Sequence, residues 1–301
     1  MIRNTMNICA IIINYFGYEN TIPCVRSLMP QGISKIVVLD NSAEENQAKA
    51  LLEAFQGLAQ IDVIASKNNM GFAGGVNFVL REMLQRQFDA YLLLNNDTLV
   101  PDGLVESLVT GIHHSSLDIA APHIYGYPMK DILWSSGNYY NNITGLITPK
   151  PIPIIPRTYY YLTGCCLMVK REVFEKIGLF DESFFMYGED IEFCHRAGKN
   201  GFHIGIEKNA KLYHHVNASS QNNSLFYEYH INRSHLILSK KLSQSRNEHM
   251  ALFPIKLIML GIRSLVRTMR YRNRNALIGY VAATIEKFNP DHVKTMIVGK
   301  P

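Results

Sequence analysis

The chain has 301 residues, 47% of them hydrophobic, so it is long and apolar enough to bury a sizeable core. Its 30 Lys and Arg residues stand against 25 Asp and Glu residues, and the resulting net charge of +5 singles out no class of partner by itself. The composition indicates a globular protein.

Cysteine usage and the N-terminus bear on the cellular compartment. The five cysteines are scattered and lack CxxC spacing, which argues against a disulfide framework or a zinc site. The opening MIRNTMN leads directly into ICAIII, which is too short for a signal-peptide core. We find no run of the roughly 18 to 20 uncharged apolar residues that a membrane span needs, and we expect a cytoplasmic protein.

Short apolar runs alternate with helical patterns along the first 121 residues. This alternation predicts a parallel α/β unit of the nucleotide-binding type. The predicted strands are Ile8 to Ile13, Lys35 to Leu39, Asp62 to Ala65 and Ala90 to Leu94, and the predicted helices are Glu19 to Leu28, Glu44 to Phe55 and Val76 to Gln85.

Regular patterns fade after this unit. Residues 122–161 predict an extended loop over the sheet, because the run PKPIPIIPR contains four prolines. Residues 253–275 place apolar residues at helical spacing beside basic residues and no acid, which predicts a basic amphipathic helix. The other expected elements are a strand at Gly164 to Val169, helices at Arg171 to Ile177 and Asp190 to Asn200, and helical structure from about Leu225 onward.

Polar residues follow several predicted strands, at the edge where α/β sheets bind ligands. Asp40 could accept hydrogen bonds from a base or sugar, although Asp-Asn-Ser is equally an ordinary turn. The glycines of NNMGFAGGVN could let backbone amides approach phosphate, or only allow a tight connection into a helix. Asp97 follows the apolar run YLLL and suits a divalent cation held with substrate phosphates, or else this turn caps the next helix near Thr98.

The stretch FFMYGEDIEFCHRAGKNG gives the strongest local pattern. Glu189 and Asp190 are adjacent carboxylates at a helix start beside aromatic residues, which suits a general base because burial can raise a carboxylate pKa. A helix N-terminus also selects acids for its dipole alone. His214 and His215 near the end of a presumed strand could supply an imidazole to a metal, or be solvated loop histidines.

In this order, the motifs NICAIIINYFGYENTIPCVRSL, VVLDNS, NNMGFAGGVN, LLLNNDTLVP, GEDIEFCHRAGKNGF and YHHVNASS resemble those of family 2 glycosyltransferases, in particular the rhamnosyltransferase-like branch. The likeness spans roughly residues 7–240. It implies the glycosyltransferase A fold, an α/β fold with a Rossmann-like, mixed, mainly parallel sheet flanked by helices, here with a C-terminal helical extension. It also implies an inverting enzyme that places Mg or Mn on the diphosphate of a nucleotide-sugar.

Site residues carried over from this resemblance fall in the motifs above. Asn95-Asn96-Asp97 takes the place of the family's DxD metal motif, with Asn95 where the first acid would stand, so Asp97 and His214 are the implied metal residues. His215 is the substitute if the alignment shifts by one residue. Asp40 would read the nucleobase, and Gly71 to Asn77 would form the loop that lines the donor. The implied donor-binding residues are Asn14, Asp40, Asn69, Gly71, Phe72, Gly74, Asn77, Asn95 and Asn96.

By the same resemblance, Asp190 is the general base, with Glu189 as its partner. Trp134, Gly164 and Tyr187 are candidates for acceptor binding, because aromatic faces stack on sugar rings and Gly164 opens a turn. A plain core role is an equal alternative for Trp134. Tyr139 and Tyr140 are further candidates of this kind. The Cys165-Cys166 pair is expected to serve packing.

The expected partners are a nucleotide-sugar, with dTDP-rhamnose first, and a glycan or polyprenol-linked acceptor. The predicted division is a catalytic domain over 1–240, with a donor half over 1–121 and an acceptor half over 122–240, followed by an extension over 241–301. The basic extension could lie on an anionic membrane at the inner face of the cell membrane, or pack against the catalytic domain or a second subunit.

Three other functions compete with this interpretation. A catalytically inactive module that binds nucleotide-sugar or membrane is favoured by the missing acid at Asn95, but Asp97, Asp190 and His214 argue against it. A dehydrogenase would need GxGxxG after the first strand, where NYFGYEN stands instead. We expect no nucleic-acid partner, because the basic residues cluster in one tail.

Overall fold

The computed structural model describes residues 6–151, 156–215 and 223–288. In the first third, strands and helices alternate as the apolar pattern predicts. The elements are β1 (Ile8–Asn14), α1 (Tyr18–Leu28), a short 3-10 helix (Met29–Gln31), β2 (Lys35–Asp40), α2 (Glu45–Ala54), β3 (Ile61–Ala65), α3 (Gly71–Met83), β4 (Ala90–Asn95), β5 (Thr98–Leu99) and α4 (Leu104–His114).

The rest of the described chain holds seven strands and five helices. They are β6 (Ile119–Gly126), β7 (Leu133–Ser135), β8 (Asn138–Asn141), β9 (Ile147–Thr148), β10 (Thr158–Tyr161), β11 (Cys166–Lys170), α5 (Arg171–Ile177), α6 (Glu189–Lys199), β12 (Ile204–His214), α7 (Leu225–Lys241), α8 (Arg246–Tyr271) and α9 (Asn275–Phe288).

The main sheet of the described residues has nine strands in the order β3-β2-β1-β4-β11-β6-β12-β5, with β7 paired to β6. β1 pairs in parallel with both β2 and β4, β2 with β3, and β6 with β12. β11 is antiparallel to both β4 and β6, so β3, β2, β1, β4, β6 and β12 all run in the same direction. This mixed, mainly parallel sheet with flanking helices matches the predicted fold class.

Burial explains why the central strands are so apolar. Tyr91 to Leu94 of β4 are buried, and their side chains alternate between two cores on opposite faces of the sheet. Tyr91 and Leu93 join one core, while Leu92 and Leu94 join the other. A strand buried on both faces needs apolar residues at every position, unlike a strand with one wet face.

The middle of the chain is more regular than the sequence indicated. The predicted extended loop over 122–161 was wrong, because β6 continues to Gly126, β7 adds to it, and β8, β9 and β10 form a separate three-stranded sheet. Tyr139 and Tyr140 of β8 pair with Tyr160 and Tyr159 of β10. The prolines misled the prediction, since part of their run, 152–155, lies outside the described residues and the strands lie on either side of it.

The C-terminal helices form a layer of their own. α8 and α9 pack on α7 around Tyr229, Leu260 and Ala283. α8 is 26 residues long and apolar enough, by length and composition, to cross a membrane. The sequence nevertheless holds no uncharged apolar run of that length here, because Lys256 and Arg263 interrupt α8 and its aliphatic residues only offset them in the mean hydropathy.

Candidate active site

Strand direction gathers polar residues at one edge of the main sheet. β1, β2, β4 and β12 run in the same direction, and they end at Asn14, Asp40, Asn95 and His214. Because the carboxyl ends of strands with a common direction meet at the same edge, side chains far apart in sequence come together there.

A buried hydrogen-bond network occupies the first part of this edge. Asn14 donates through Nδ2 to Asp40 Oδ1 at 2.8 Å, and its own Oδ1 accepts from Thr21 Oγ1 at 2.7 Å. Ser42 Oγ also donates to Asp40 Oδ1, at 2.7 Å. Asn96 Nδ2 extends the network by donating to Thr21 Oγ1 at 2.9 Å. These bonds fix the orientation of Asn14, Asp40 and Asn96, three of the predicted donor residues.

Asn41 organises the connection that precedes α3. Its Oδ1 accepts from the Met70 backbone N–H at 3.0 Å, and its Nδ2 donates to Asn69 Oδ1 at 3.1 Å. Asn69 Oδ1 in turn accepts from the Gly71 N–H at 2.9 Å. The role of Asn41 was missed in the sequence, although its place directly after Asp40 was a usable signal.

A cleft of about 690 Å³, counting the space open to solvent, lies over this edge. Five predicted donor residues line it, and aromatic residues from later in the chain form the opposite wall. The lining residues are Ile13, Tyr15, Asn41, Asn69, Gly71, Phe72, Leu94, Asn95, Asn96, Phe185, Met186 and Phe226.

Gly71 is required where the chain enters α3. Its φ is +70°, and a Cβ on it would lie 2.1 Å from the carbonyl oxygen of Phe185. That same oxygen accepts a hydrogen bond from the Phe72 N–H at 2.9 Å. Only glycine fits both the left-handed backbone and this close approach.

The predicted donor loop over residues 71–77 is largely helix, because α3 begins at Gly71 rather than at Val76. Gly74 lies inside α3, where a Cβ would lie 3.1 Å from Met70 Cβ. Asn77 is buried, donates to Phe180 O and Glu182 Oε1 at 2.8 Å each, and accepts from the Phe180 N–H. Its amide thus holds the segment before α6 against α3, a structural role that the sequence did not indicate.

Asp97 and His214 meet across the sheet edge. β12 pairs with β5 through His214 and Thr98, which brings His214 Nε2 to 3.1 Å from Asp97 Oδ1. Both side chains are buried. His214 Nδ1 has no hydrogen-bond partner within the described residues. His215 instead donates its backbone N–H to the Asp97 carbonyl, and its ring lies 4.3 Å from that of Tyr127 in a tilted arrangement.

This pair fits a divalent cation. A carboxylate and an imidazole are suitable ligands for Mn²⁺, and Mg²⁺ usually takes only one or two carboxylates beside substrate phosphates and water. No cluster of three or more His, Cys, Asp or Glu side chains with metal-binding geometry occurs within the described parts of the chain. A cation held by Asp97 and His214 would therefore take its remaining ligands from substrate oxygens and water.

Glu189 and Asp190 begin α6, after Gly188 in a left-handed conformation. Asp190 Oδ2 accepts from the Gly164 N–H at 3.0 Å, whereas Oε2 of buried Glu189 has no hydrogen-bond partner in the described residues. Burial, helped by the charge of Asp190, raises the pKa of Glu189 to about 8. Burial also raises the pKa of Asp190 to about 6, although the N–H groups of Gly164 and Ile191 oppose this rise.

The turn at Gly164 and Cys165, just before β11, lies between Asp190 and the turn that carries Asp97. Gly164 binds Asp190, and the next residue, Cys165, accepts from the Asn95 N–H at 2.9 Å through its carbonyl. Asn95 is two residues from Asp97, so both carboxylates lie at the same edge, on either side of this turn. Neither carboxylate lines the cleft itself, but Phe72 does, and a Cβ on Gly164 would lie 3.5 Å from its ring.

Of the aromatic acceptor candidates, Trp134 and Tyr187 are at least partly exposed, whereas Tyr140 is fully buried. Trp134 is 43% exposed, with its ring 4.9 Å from that of His214, so it lies beside the Asp97–His214 pair. Tyr187 is half-buried with a φ of +68°, and its ring contacts Tyr227. Tyr140 is fully buried, so the expectation that it stacks on a sugar was wrong. Its hydroxyl lies 3.0 Å from His235 Nδ1 in the protein interior.

The five cysteines are all buried free thiols. Burial raises the pKa of Cys165 and of Cys166 above the usual thiol value, which disfavours the nucleophilic thiolate. Packing is the role that the structure gives this pair. Phe185, Met186 and Phe226 of the cleft wall were missed in the sequence, because nothing local connects them to residues 69–72.

The chain belongs to glycosyl transferase family 2. The model of that family matches residues 9–178, and a model described as the N-terminal domain of galactosyltransferase matches residues 153–218. These ranges contain the cleft-lining connection before α3, the Asn95-Asn96-Asp97 turn and the start of α6.

Curated relatives place the chain near hexosyl and rhamnosyl transferases. The low-salt glycan biosynthesis hexosyltransferase Agl10 of Haloferax volcanii is 30% identical over 218 residues, which is 68% of this chain and 66% of Agl10. The dTDP-rhamnosyl transferase RfbF of Shigella flexneri is 22% identical over 71% of each chain. An N-acetylglucosaminyl-diphospho-decaprenol L-rhamnosyltransferase of Mycobacterium tuberculosis is 42% identical over only 18% of each chain.

Solved structures share the fold. The mannosyltransferase PcManGT of Pyrobaculum calidifontis, solved with GDP-Man and Mn²⁺, superposes with a TM-score of 0.58 over 96% of this chain and 88% of that one, at 13% identity. This likeness confirms the predicted glycosyltransferase A fold.

Proposed function

We propose that this protein transfers a sugar from a nucleotide-sugar to a glycan or lipid-linked glycan acceptor during polysaccharide synthesis. The observation that carries the proposal is the gathering of a cleft with polar and aromatic walls, the Asp97–His214 pair and the Asp190 carboxylate at one sheet edge. dTDP-rhamnose is the first choice of donor, because two of the relatives are named as rhamnosyl transferases. UDP-hexoses come next.

In this proposal the cleft holds the nucleotide. Asn69, Gly71 and Asn95 line the cleft. The buried Asn14–Asp40 pair lies at the same sheet edge behind this lining and would bind the base or ribose there. Asp97 and His214 would hold a divalent cation, which supplies positive charge that stabilises the departing diphosphate. Trp134, beside His214, would contact the acceptor or the transferred sugar through its exposed face.

Asp190 is proposed as the general base. The acceptor hydroxyl gives its proton to the Asp190 carboxylate while its oxygen attacks the anomeric carbon, and the bond from that carbon to the diphosphate oxygen breaks. A single displacement of this kind inverts the anomeric centre. The Gly164 N–H holds the carboxylate in place. A pKa raised to about 6 leaves Asp190 ionised at neutral pH yet more basic than an ordinary aspartate.

The proposed setting is the cytoplasm, with reaction at the inner face of the cell membrane for a polyprenol-linked acceptor. The catalytic domain would end near residue 240, within the last turn of α7, and residues 241–301 would form the extension. The oligomeric state of the lipid-free protein, compared with that of Leu265→Glu, decides whether a second copy of the chain takes part.

A panel of labelled nucleotide-sugars, each tested with and without EDTA, tests the function. We expect transfer from one donor, loss of transfer with EDTA, and recovery on adding Mg²⁺ or Mn²⁺. Asp190→Asn should lower kcat by about a hundredfold or more while donor affinity is kept, because the base is lost but the cleft is not. Glu192→Gln is the matched control, since Glu192 lies two residues further along α6 and binds Arg196 instead.

Absence of binding by every donor would overturn the proposal. Donor binding without transfer to any acceptor would favour an inactive nucleotide-sugar module instead. Equal kcat in Asp190→Asn and the unaltered protein would remove Asp190 from its role while leaving the family assignment intact.

A further inference from the structure

The two C-terminal helices expose an apolar surface that the transfer reaction does not use. On α8 the exposed apolar side chains recur every three or four residues, so they form one stripe along the helix. α9 adds three more. We call this set the α8–α9 face, and its members are Ile255, Ile258, Ile262, Leu265, Val266, Met269, Ile278, Val281 and Ile285.

The opposite side of α8 is already buried. Lys256, Leu260 and Ser264 point inward and are buried between α8 and its neighbours. α9 also packs closely on α7, since a Cβ on Gly279 of α9 would lie 2.7 Å from the Tyr229 backbone nitrogen of α7. α8 thus buries two polar residues beside Leu260 and keeps a stripe of large apolar residues on its outward side. An amphipathic surface helix of a soluble protein has a polar outer side, so this one fits another apolar phase.

The charged residues of α8 and α9 indicate which apolar phase this surface contacts. Residues 249–285 contain no Asp or Glu but six basic residues. Arg270, Arg272 and Arg274 are exposed at the end of α8 and in the turn that follows. Exposed arginines at the rim of an apolar helix surface match the anionic headgroups that flank the acyl region of a bilayer.

The same helices are built to lie on the bilayer rather than to cross it. Buried Glu228 of α7 forms ion pairs with Arg263 at 2.9 Å and with Arg267 at 2.5 Å. A spanning α8 would have to leave α7, which would strand Glu228 in the protein and place both arginines in hydrocarbon. With α8 kept on α7, only the outward stripe enters the lipid.

We infer that the α8–α9 face docks on the surface of an anionic lipid bilayer, with α8 and α9 lying parallel to the membrane plane and the exposed arginines contacting lipid phosphates. This inference stands apart from the proposed sugar transfer, because it rests on α7, α8 and α9 alone. It gives the acceptor half of the protein a fixed position at the membrane. A second copy of the chain is the competing occupant of the same face.

Vesicle flotation of the full chain tests the inference without donor or acceptor. The unaltered protein should float with vesicles of phosphatidylglycerol and phosphatidylcholine, and much less with phosphatidylcholine alone. Leu265→Glu should weaken binding by about tenfold or more, because it removes an apolar side chain from the lipid and adds a charge that anionic lipid repels. Alkaline carbonate should release the bound protein, as it does for an interfacial helix.

Leu52→Glu on α2 is the matched control. Leu52 is 53% exposed and Leu265 is 52% exposed, so residue type, exposure and substitution are the same in both variants. Leu52→Glu should float like the unaltered protein. Arg270→Gln with Arg274→Gln should reduce binding to anionic vesicles while leaving the weak binding to phosphatidylcholine unchanged.

Three results would overturn the inference: no flotation of the unaltered protein with anionic vesicles, equal flotation of Leu265→Glu, or resistance to carbonate. A lipid-free dimer that Leu265→Glu converts to monomer would assign the face to a second copy and also overturn it. Donor binding by Leu265→Glu should be unchanged, so a failure of this inference is separate from a failure of the proposed function.

Discussion

At the scale of single residues, two adjacent carboxyls at the start of α6 have different surroundings. Asp190 accepts a hydrogen bond from the Gly164 N–H, while Oε2 of Glu189 has no partner in the described residues. Hydrogen bonds favour a charged carboxylate and bare burial disfavours it. The pair therefore separates into a group that ionises near pH 6 and one that stays protonated until about pH 8.

The pH dependence of transfer follows from Asp190. A general base acts only when it is deprotonated, so kcat/KM should fall as pH decreases through about 6, the raised pKa of Asp190. Initial rates of transfer from the active donor, measured across neutral and acidic pH with saturating metal, check this. A rate that stays constant down to about pH 4.5 would contradict the assignment, because an ordinary carboxylate remains ionised there.

Glu189→Gln should stabilise the protein at alkaline pH. The folded-state pKa of Glu189 is raised to about 8, so its favourable contribution to folding is complete below its unfolded pKa near 4.5 and is lost as pH rises through 8. Glutamine keeps the shape and cannot ionise. Urea unfolding should show a higher free energy of unfolding for the variant near pH 9 and nearly equal values near pH 5. A difference that does not change with pH would contradict this account.

At the scale of elements, the entry into α3 depends on a backbone contact with the segment before α6. Gly71 combines a φ of +70° with the close approach of Phe185 O, while Gly57 has a φ of +79° and nothing within 4 Å of a built Cβ. Substitution of Gly57 by alanine therefore introduces backbone strain alone, whereas the same substitution of Gly71 introduces backbone strain and steric overlap.

Gly71→Ala should therefore cost more than Gly57→Ala. Left-handed strain alone predicts about 1–2 kcal/mol for Gly57→Ala. Gly71→Ala should exceed that value and also weaken donor binding, because the cleft wall at Phe185 must move. Denaturant unfolding and donor titration of both variants measure the two effects. Equal losses of stability with unchanged donor affinity would show that the contact with Phe185 is not restrictive.

At the scale of the whole molecule, the C-terminal layer is attached to the small sheet through a buried lysine. Lys256 of α8 donates to the Tyr140 hydroxyl at 3.1 Å, and that hydroxyl also lies 3.0 Å from His235 Nδ1 of α7. Burial lowers the pKa of Lys256 to about 7. One hydroxyl thus links β8, α7 and α8, and the acceptor half and the extension are held together there.

Lys256→Met should raise the free energy of unfolding near pH 7. The folded-state pKa is lowered from 10.5 to about 7, so burial of this amine opposes folding increasingly as pH falls from 10.5 and fully below about 7. Methionine fills similar volume without this cost, and we expect a gain of about 1 kcal/mol or more. The gain should shrink near pH 9.5. Lys208→Met, at an exposed position, is the control and should show no gain that depends on pH.

Much of the fold follows from local sequence. The runs around Cys9 to Ile12 and Tyr91 to Leu94 predict strands buried on both faces, and the structure places them at the centre of the sheet. The Asn95-Asn96-Asp97 turn was placed correctly at the end of β4, because a strand end is a local feature. The small sheet of β8, β9 and β10 was missed, since its strands are short and flank a proline run.

The sequence by itself determined the order of strands and helices through β4 and the strand ends that carry Asp40, Asn95 and Asp97, because hydrophobic periodicity acts between near neighbours. Only the tertiary structure decided that His214 reaches Asp97, 117 residues away, and that Phe185 closes on Gly71. Such contacts depend on which strands pair and which helices pack, and many arrangements satisfy the same local pattern. The site is therefore a property of the packed sheet edge rather than of any one motif.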